Sequence, residues 1–492
     1  MKTNDYLLIT ATAAYSYLFF EQNAGINFLI FNVLLIVLLV VKNRQLITQK
    51  KWLWAAAMSL LSSSCVFLHS STLSIIANCM SLLLLSAFTF STKTSSIFSF
   101  LFSLFSMASS FVFVIIDAVT RSQNKINGEV TSKKGYKLIA VILVLFVCIL
   151  FFNLYKSANP LFAENTKWIN FDFISFSWLF FTFGGFLLVY ALLYHKTIPV
   201  IETWENNLSL INTKDANDSI KRIETERFSG MLLFMFLNLM LLVLNFGDIS
   251  SIWFKSSLPK GISHSDFVHN GVGMIILSII IATSLLMFLY RKNYTSTKYS
   301  KVLKLFILMW VVQNLIMLFS TACRNQIYIE SFNFTYKRVG VYVWLLLAAI
   351  GLIITSIKII KEKSNWYLVK TNFAVWFSVL ALSSTINWDI LITRYNISNK
   401  PLKEVDFYYL FSLSDANIPE LIAITKHRDF ELIDSHLKNF TNNYDERYNL
   451  SYKTLLNDKI NHYIKDYTNN WQSFDLRDVK ITNSLIQKNN EN

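Results

Sequence analysis

Apolar residues run in blocks near 20 long between positions 6 and 386, separated by short polar connectors. Val272–Tyr290 holds no charge, and Val339–Ile360 holds only Lys358. An α-helix rises about 1.5 Å per residue, so roughly 20 residues cross a hydrocarbon core of about 30 Å. In lipid, backbone polar groups must find partners within their own segment, which a helix provides. The pattern predicts an all-α fold, a polytopic membrane bundle of about twelve transmembrane helices. Expected spans are 6–21, 25–41, 52–69, 72–91, 96–116, 138–155, 174–194, 229–247, 272–290, 303–322, 339–360 and 367–386. Tyr6–Phe20 reads as the first of these rather than as a cleaved leader, because Glu21 and Gln22 follow and a second apolar block starts at once.

The periodicity changes after position 387. Residues 1–387 read as the membrane domain, and 388–492 as a polar tail of a few short helices. In the tail, Leu455, Leu456, Ile460 and Tyr463 recur at helical spacing. Gln487–Asn492 is expected to lack order, as chain ends without anchors do.

Composition strengthens the membrane reading. Mean hydropathy is +0.41 and 15% of residues are charged, against about 25% in soluble proteins. With 12 Gly and 5 Pro, few breaks interrupt the helices. This weighs mildly against the broken half-helices of many transporters. Cys65, Cys79, Cys148 and Cys323 lie in or at the ends of apolar blocks and imply no disulfide framework.

Net charge is +14, yet residues 388–492 carry 13 basic and 15 acidic side chains. The positive excess therefore sits in the connectors of the membrane domain, where it reports topology and contact with anionic headgroups. It does not form the basic soluble face that a nucleic-acid partner would need. Arg121–Lys137, Lys196–Arg227, Arg291–Lys304 and Lys358–Lys363 mark four connectors on one face. Placing that face in the cytoplasm puts the tail outside the inner membrane. Lys42, Arg44, Lys50 and Lys51 break the scheme, because a count of twelve puts them outside. A hairpin near Ser71 that does not cross would restore the parity.

Charges within a bilayer are costly and point to function. Asp248 ends the eighth block behind Asn238 and Asn245, and Gln313 and Asn314 lie mid-span. These amides suit either interhelical hydrogen bonds or a solute path. His264, Asp266 and His269 form a weak metal candidate with no recognised spacing. On one continuous helix, Tyr328, Phe332 and Tyr336 would make an interfacial aromatic stripe, with Glu330 and Arg338 two turns apart. No phosphate loop, nucleophile elbow or zinc-protease motif occurs, so no catalytic residue and no cofactor is indicated.

Five segments resemble a bacterial membrane family known as domain of unknown function 4173, in the 4153 group. They are NPLFA (Asn159–Ala163), LPKGISHSDFVHNG (Leu258–Gly271), IYIESFNFTYKR (Ile327–Arg338), NWDILITRYNI (Asn387–Ile397) and VDFYYLFSLSDANIPEL (Val405–Leu421). The likeness covers about 138–425, and the first third shares only general character. Asn159 stands where the family pattern has an acid, and Asn333 where it has glycine. Asn accepts left-handed angles better than most residues, so that turn should survive. The resemblance implies no activity.

Most of these segments follow even-numbered spans and so share one face, outside by the charge rule. Candidate residues there are Asp248, Arg324, Glu330, Arg338, Asn387, Asp389, Arg394 and Asn396. Arg338 and Arg394 are expected to pair with Glu330 or Asp389, fixing the tail to the bundle. The leading expectation is a non-enzymatic envelope sensor or scaffold, with the bilayer and a protein at its outer face as partners. A transporter of a small solute or lipid, and an enzyme acting on lipid-linked substrates, are the alternatives.

Overall fold

The computed structural model describes residues 3–91, 94–126, 144, 148, 151–152, 154–167, 175–194, 196, 198–208, 220–250, 264–289, 299–426, 430–431, 433–434 and 451–491. Among them the chain is helical, without strands. Six helices are long and apolar enough to cross a membrane, or eight if each of two bent pairs is one span. The shorter apolar helices Ile26–Lys42 and Leu277–Leu289 account for two more of the expected twelve blocks. The block at 138–155 falls mostly outside the described residues. The chain divides into two compact units, Met1–Glu202 with Thr468–Leu476, and Thr203–Tyr467 with Arg477–Asn492.

The first unit contains α1 (Thr3–Phe19), α2 (Ile26–Lys42), α3 (Lys50–His69), α4 (Thr72–Phe90), α5 (Ser96–Ala108), α6 (Ser110–Ile126) and α7 (Phe176–Leu193). Small polar residues join α2, α3 and α4. Asn32 and Asn78 exchange hydrogen bonds at 3.1 Å in both directions, and Ser59 donates to Asn32. Ser62 meets Ser81 at 3.2 Å. All five are fully buried. Without a hydrophobic force between helices in lipid, small residues and side-chain hydrogen bonds supply the packing.

A break lies at Ser109 as well as at Ser70–Ser71. α3 and α4 are 20 and 19 residues long, and each is long and apolar enough to cross a membrane. The expected span 96–116 is instead broken, with α5 and the start of α6 bent by 69° at the Ser109-Ser110 pair. Ser pairs are a recognised cause of sharp kinks, and here Ser110 returns its hydroxyl to the Met107 carbonyl at 2.9 Å. Both halves bond to the C-terminal end of α7. Ser106 donates to the Ala191 carbonyl at 3.3 Å, and Asp117 accepts from Lys196 at 3.0 Å and from Tyr190. Lys42, at the end of α2, donates to the Leu193 carbonyl at that same end.

At the opposite ends of these helices, Thr468–Leu476 lies across the α1–α2 turn. Ile26 donates its N–H to the Phe474 carbonyl at 2.9 Å, and Asn23 donates to Ser473 Oγ at 2.9 Å. The approach is so close that a Cβ on Gly25 would fall 2.5 Å from the Ser473 carbonyl oxygen. Only glycine fits there.

The second unit contains α8 (Ile220–Asp248), α9 (His264–Leu289), α10 (Ser300–Phe332), α11 (Tyr336–Ile360) and α12 (Asn365–Ser383). Phe234, Leu286, Ile307, Trp310 and Leu352 form their shared core. Shorter helices follow: α13 (Trp388–Asn399), α14 (Phe407–Ser412), α15 (Ile418–Ile424), α16 (Tyr452–Asp466) and α17 (Leu476–Glu491). α17 runs to Glu491, so residues expected to lack order are helical here.

α10 has 33 residues, ten more than the apolar block predicts at its C-terminal end. At about 1.5 Å per residue it is roughly 50 Å long, well beyond a hydrocarbon core of about 30 Å. Its last three turns continue because they have something to pack on. Ile329 joins Phe334, Ile392, Leu410, Leu421 and Tyr452 in a second core built largely from the tail.

Candidate functional site

α10 ends at Asn333, which adopts φ 82 and ψ 154. That region is populated almost only by glycine and costs about 1–3 kcal/mol elsewhere. The expectation that asparagine could hold this turn is met, and its surroundings show how. Asn396, on α13, accepts from the Phe334 N–H at 2.6 Å and donates to the Phe334 carbonyl at 2.9 Å. Asn333 donates to the Glu404 carbonyl at 3.2 Å. Arg338 reaches back to the Phe332 carbonyl at 2.9 Å and lies over the Tyr328 ring at 4.2 Å. The turn is thus clamped from α10, α11, α13 and the Glu404 loop.

The break at Asn333 divides the expected aromatic stripe. Tyr328 and Phe332 pack together at 4.8 Å, but Tyr336 begins the next helix. Its phenol donates to Asp389 at 2.9 Å, and its N–H donates to the Tyr409 hydroxyl at 2.8 Å. The other Asp389 oxygen accepts from Ser414. Asn387 caps α13 by accepting from the Ile390 N–H at 3.2 Å.

The expected ion pairs are replaced by others. Arg394 pairs with Glu420 at 2.7 Å, not with Glu330 or Asp389. Glu330 instead accepts from Gln326 at 3.0 Å. Gln326 also donates to the Tyr395 hydroxyl at 3.2 Å and accepts from Tyr342 at 3.0 Å. Helix continuity to Phe332 is the reason, since it turns Glu330 to the exposed side and leaves α15 to supply the nearer carboxylate.

Arg324 and Asp248 form a buried ion pair between α10 and α8. The next residue, Asn325, donates to the Arg338 carbonyl at 3.2 Å and so joins this pair to the turn. Further along the same helix pair, Asn238 donates to the Phe306 carbonyl at 2.8 Å and accepts from Gln313 at 2.6 Å. Asn245 donates to the Gln313 carbonyl at 3.1 Å. The steps 238 to 245 and 306 to 313 keep one seam facing its partner. Asn314 is apart from this seam and returns its amide to Trp310 at 2.7 Å.

The tail helices close over the site. Asn417 donates to Thr393 at 3.0 Å and to the Leu410 carbonyl at 2.8 Å. Tyr452 is buried among Phe407, Phe411 and Phe430, donating to the Leu421 carbonyl at 2.8 Å. Burial pushes the Tyr452, Tyr463 and Tyr409 phenols above their usual range. Burial pushes Lys459 down, against the pull of Asp415 and Asp389. Lys459 donates to the Phe411 carbonyl at 3.1 Å, anchoring α16 to the end of α14.

Three of the five family-like segments, those at 327–338, 387–397 and 405–421, therefore build one structure. Sequence reasoning missed Asn325, Gln326, Tyr395, Ser414, Asn417 and Glu420. The spacing Thr321, Asn325, Tyr328, Phe332 could have signalled that α10 continues. His264, Asp266 and His269 begin α9, but their side chains lie outside the described residues. Among the described residues, no group of three or more His, Cys, Asp or Glu could hold a metal ion. Asn159 caps a short helix at Pro160, accepting from the Leu161 N–H at 2.9 Å. An acid there would cap equally well.

No curated protein and no solved structure matches the chain. A family match does, and it begins well upstream of the five segments, so the first third shares more than general character. Covering residues 55–424, it shows that the chain belongs to the family described as Domain of unknown function (DUF4153).

Proposed function

We propose that this integral membrane protein is a non-enzymatic scaffold or sensor of the bacterial inner membrane, presenting its tail-covered end outside the cytoplasm. One observation carries the reading. The outer candidate residues spend their hydrogen bonds and charges on neighbouring side chains or on the main chain, as Arg394 does on Glu420 and Asn396 on Phe334. A catalytic or transport site would instead direct polar groups toward a substrate. The amides of the α8–α10 seam likewise bridge neighbouring helices. Arg394, paired with Glu420 yet 68% exposed, lies on the surface that a protein partner would meet.

Charge supports the orientation. In the first unit, Lys42 and Lys196 gather at one end of the helices. On our reading α5 and the start of α6 form a half-span that enters and leaves on that side. The connector after α2 then shares a face with the connector after α7, and all basic connectors agree. The Thr468–Leu476 strap lies at the other end, which becomes the outside.

The test is complementation of a deletion strain. Asp248→Leu and Arg324→Met singly should each destabilise by about 3–5 kcal/mol, because a buried charge loses its partner. The double variant should regain most of the stability and complement. A folded double variant that fails to complement would point to a solute path and overturn the scaffold reading.

A further inference from the structure

We propose that the Lys42 end of the first unit binds an anionic phospholipid, with one acyl chain in the cavity between α4, α5 and α7 and the phosphate over the lysines above it. The cavity measures about 120 Å³ and is walled by Cys79, Leu82, Leu83, Met107, Leu188 and Leu192, among others. Two serines also line it, Ser86 and Ser103. Both turn their hydroxyls into backbone carbonyls, Ser86 to Leu192 at 2.7 Å and Ser103 to Leu83 at 2.6 Å. The wall therefore offers nothing to a polar solute. Water needs two to four polar partners to stay in such a space. A hydrocarbon chain needs none.

The polar end of the ligand follows from what lies one turn away. Phe90 stands four residues beyond Ser86, and Leu193 directly follows Leu192. The Lys42 ammonium lies 4.8 Å from the Phe90 ring and 4.7 Å from the Tyr194 ring, and donates to the Leu193 carbonyl. The cation thus sits roughly one helical turn, about 5.4 Å, beyond the cavity rim. An ammonium has three donors, and the carbonyl takes one.

Lys51 donates to the Thr94 carbonyl at 2.7 Å at the same end. Lys196 pairs with Asp117 there, Arg44 lies in the α2–α3 connector, and Lys50 begins α3. Among the described residues, Asp117 faces them, and so does Glu202, which accepts from Ser91 at 2.7 Å. The balance at this end is positive. Basic pockets between membrane helices select anionic headgroups on this principle. The neighbouring leaflet supplies both the chain for the cavity and the phosphate for the cation, at the depths where each is required.

The full chain, purified in detergent and stripped of lipid, can be titrated with phosphatidylglycerol or phosphatidylcholine of identical chains and read by native mass spectrometry. Phosphatidylglycerol should be retained in preference. Lys42→Gln should reduce that preference by about fivefold, since a basic residue near the surface contributes about 1 kcal/mol, and should leave phosphatidylcholine retention unchanged. Leu82→Trp, which fills the cavity, should lower retention of both lipids. Leu83→Phe serves the same purpose if the first variant does not fold. Glycerophosphate, which lacks acyl chains, should not compete. Equal retention of the two lipids by the wild-type chain, or cavity-filled variants that fold and retain both, would overturn the proposal.

Discussion

Asn333 and Asn396 show how one residue's strain is carried by another's hydrogen bonds. Asn333 holds a backbone conformation that suits glycine, and Asn396 satisfies both backbone polar groups of the following residue, Phe334, at 2.6 and 2.9 Å. Asn396→Leu would keep the volume and leave a buried N–H and a buried carbonyl unpaired. Each such group costs about 1–3 kcal/mol. We expect the variant to lose thermal stability by several kcal/mol and to expose the α10–α11 turn to proteolysis. Asn333→Gly should be tolerated far better, since the strain it relieves offsets the lost bond to Glu404. Thermal unfolding in detergent compares the two, and equal losses would show that the clamp has no special role. From sequence alone Asn333 could be placed in a turn, but Asn396, 63 residues later, could not be named its partner.

The tail helices depend on burying tyrosine. Tyr452 and Tyr463 have phenols raised above 10.0 by burial. In the unfolded tail these groups ionise near pH 10, while in the folded tail they stay protonated. Above that pH the unfolded state binds fewer protons than the folded one, so stability falls with rising pH. The stabilising effect is fully present below pH 10 and is lost beyond it. We expect α14–α16 to melt at alkaline pH while the apolar helices persist, followed by tyrosinate absorbance and by tail proteolysis. Tyr452→Phe should shift the transition upward in pH, and an unchanged transition would assign it elsewhere. Element existence was readable here: Tyr452–Asp466 carries its burial at positions 452, 456, 460 and 463. α10 was read too short because the apolar pattern ends near the membrane surface. Its continuation rests on contacts made with segments far along the chain.

At the scale of the whole molecule, the open question was parity. A bend of 69° after Ala108, with both halves bonded to the end of α7, makes 96–117 an irregular element beside the Ser71 turn. If that pair is a half-span, cysteines at Gln45 and Thr120 lie on one face, and a cysteine at Trp471 lies on the other. Impermeant thiol reagents applied to intact cells carrying otherwise cysteine-free protein should label Trp471→Cys alone. Labelling of Thr120→Cys together with Trp471→Cys would mean that the pair crosses. The sequence by itself determined the solvent of this protein, its helical class and its charge asymmetry, because hydropathy and loop charge act locally and add along the chain. Only the tertiary structure decided which helix breaks, which carboxylate meets Arg394 and where Thr468–Leu476 lies. Those outcomes depend on side chains 26 to 450 residues apart competing for the same partners, and no local pattern encodes the winner.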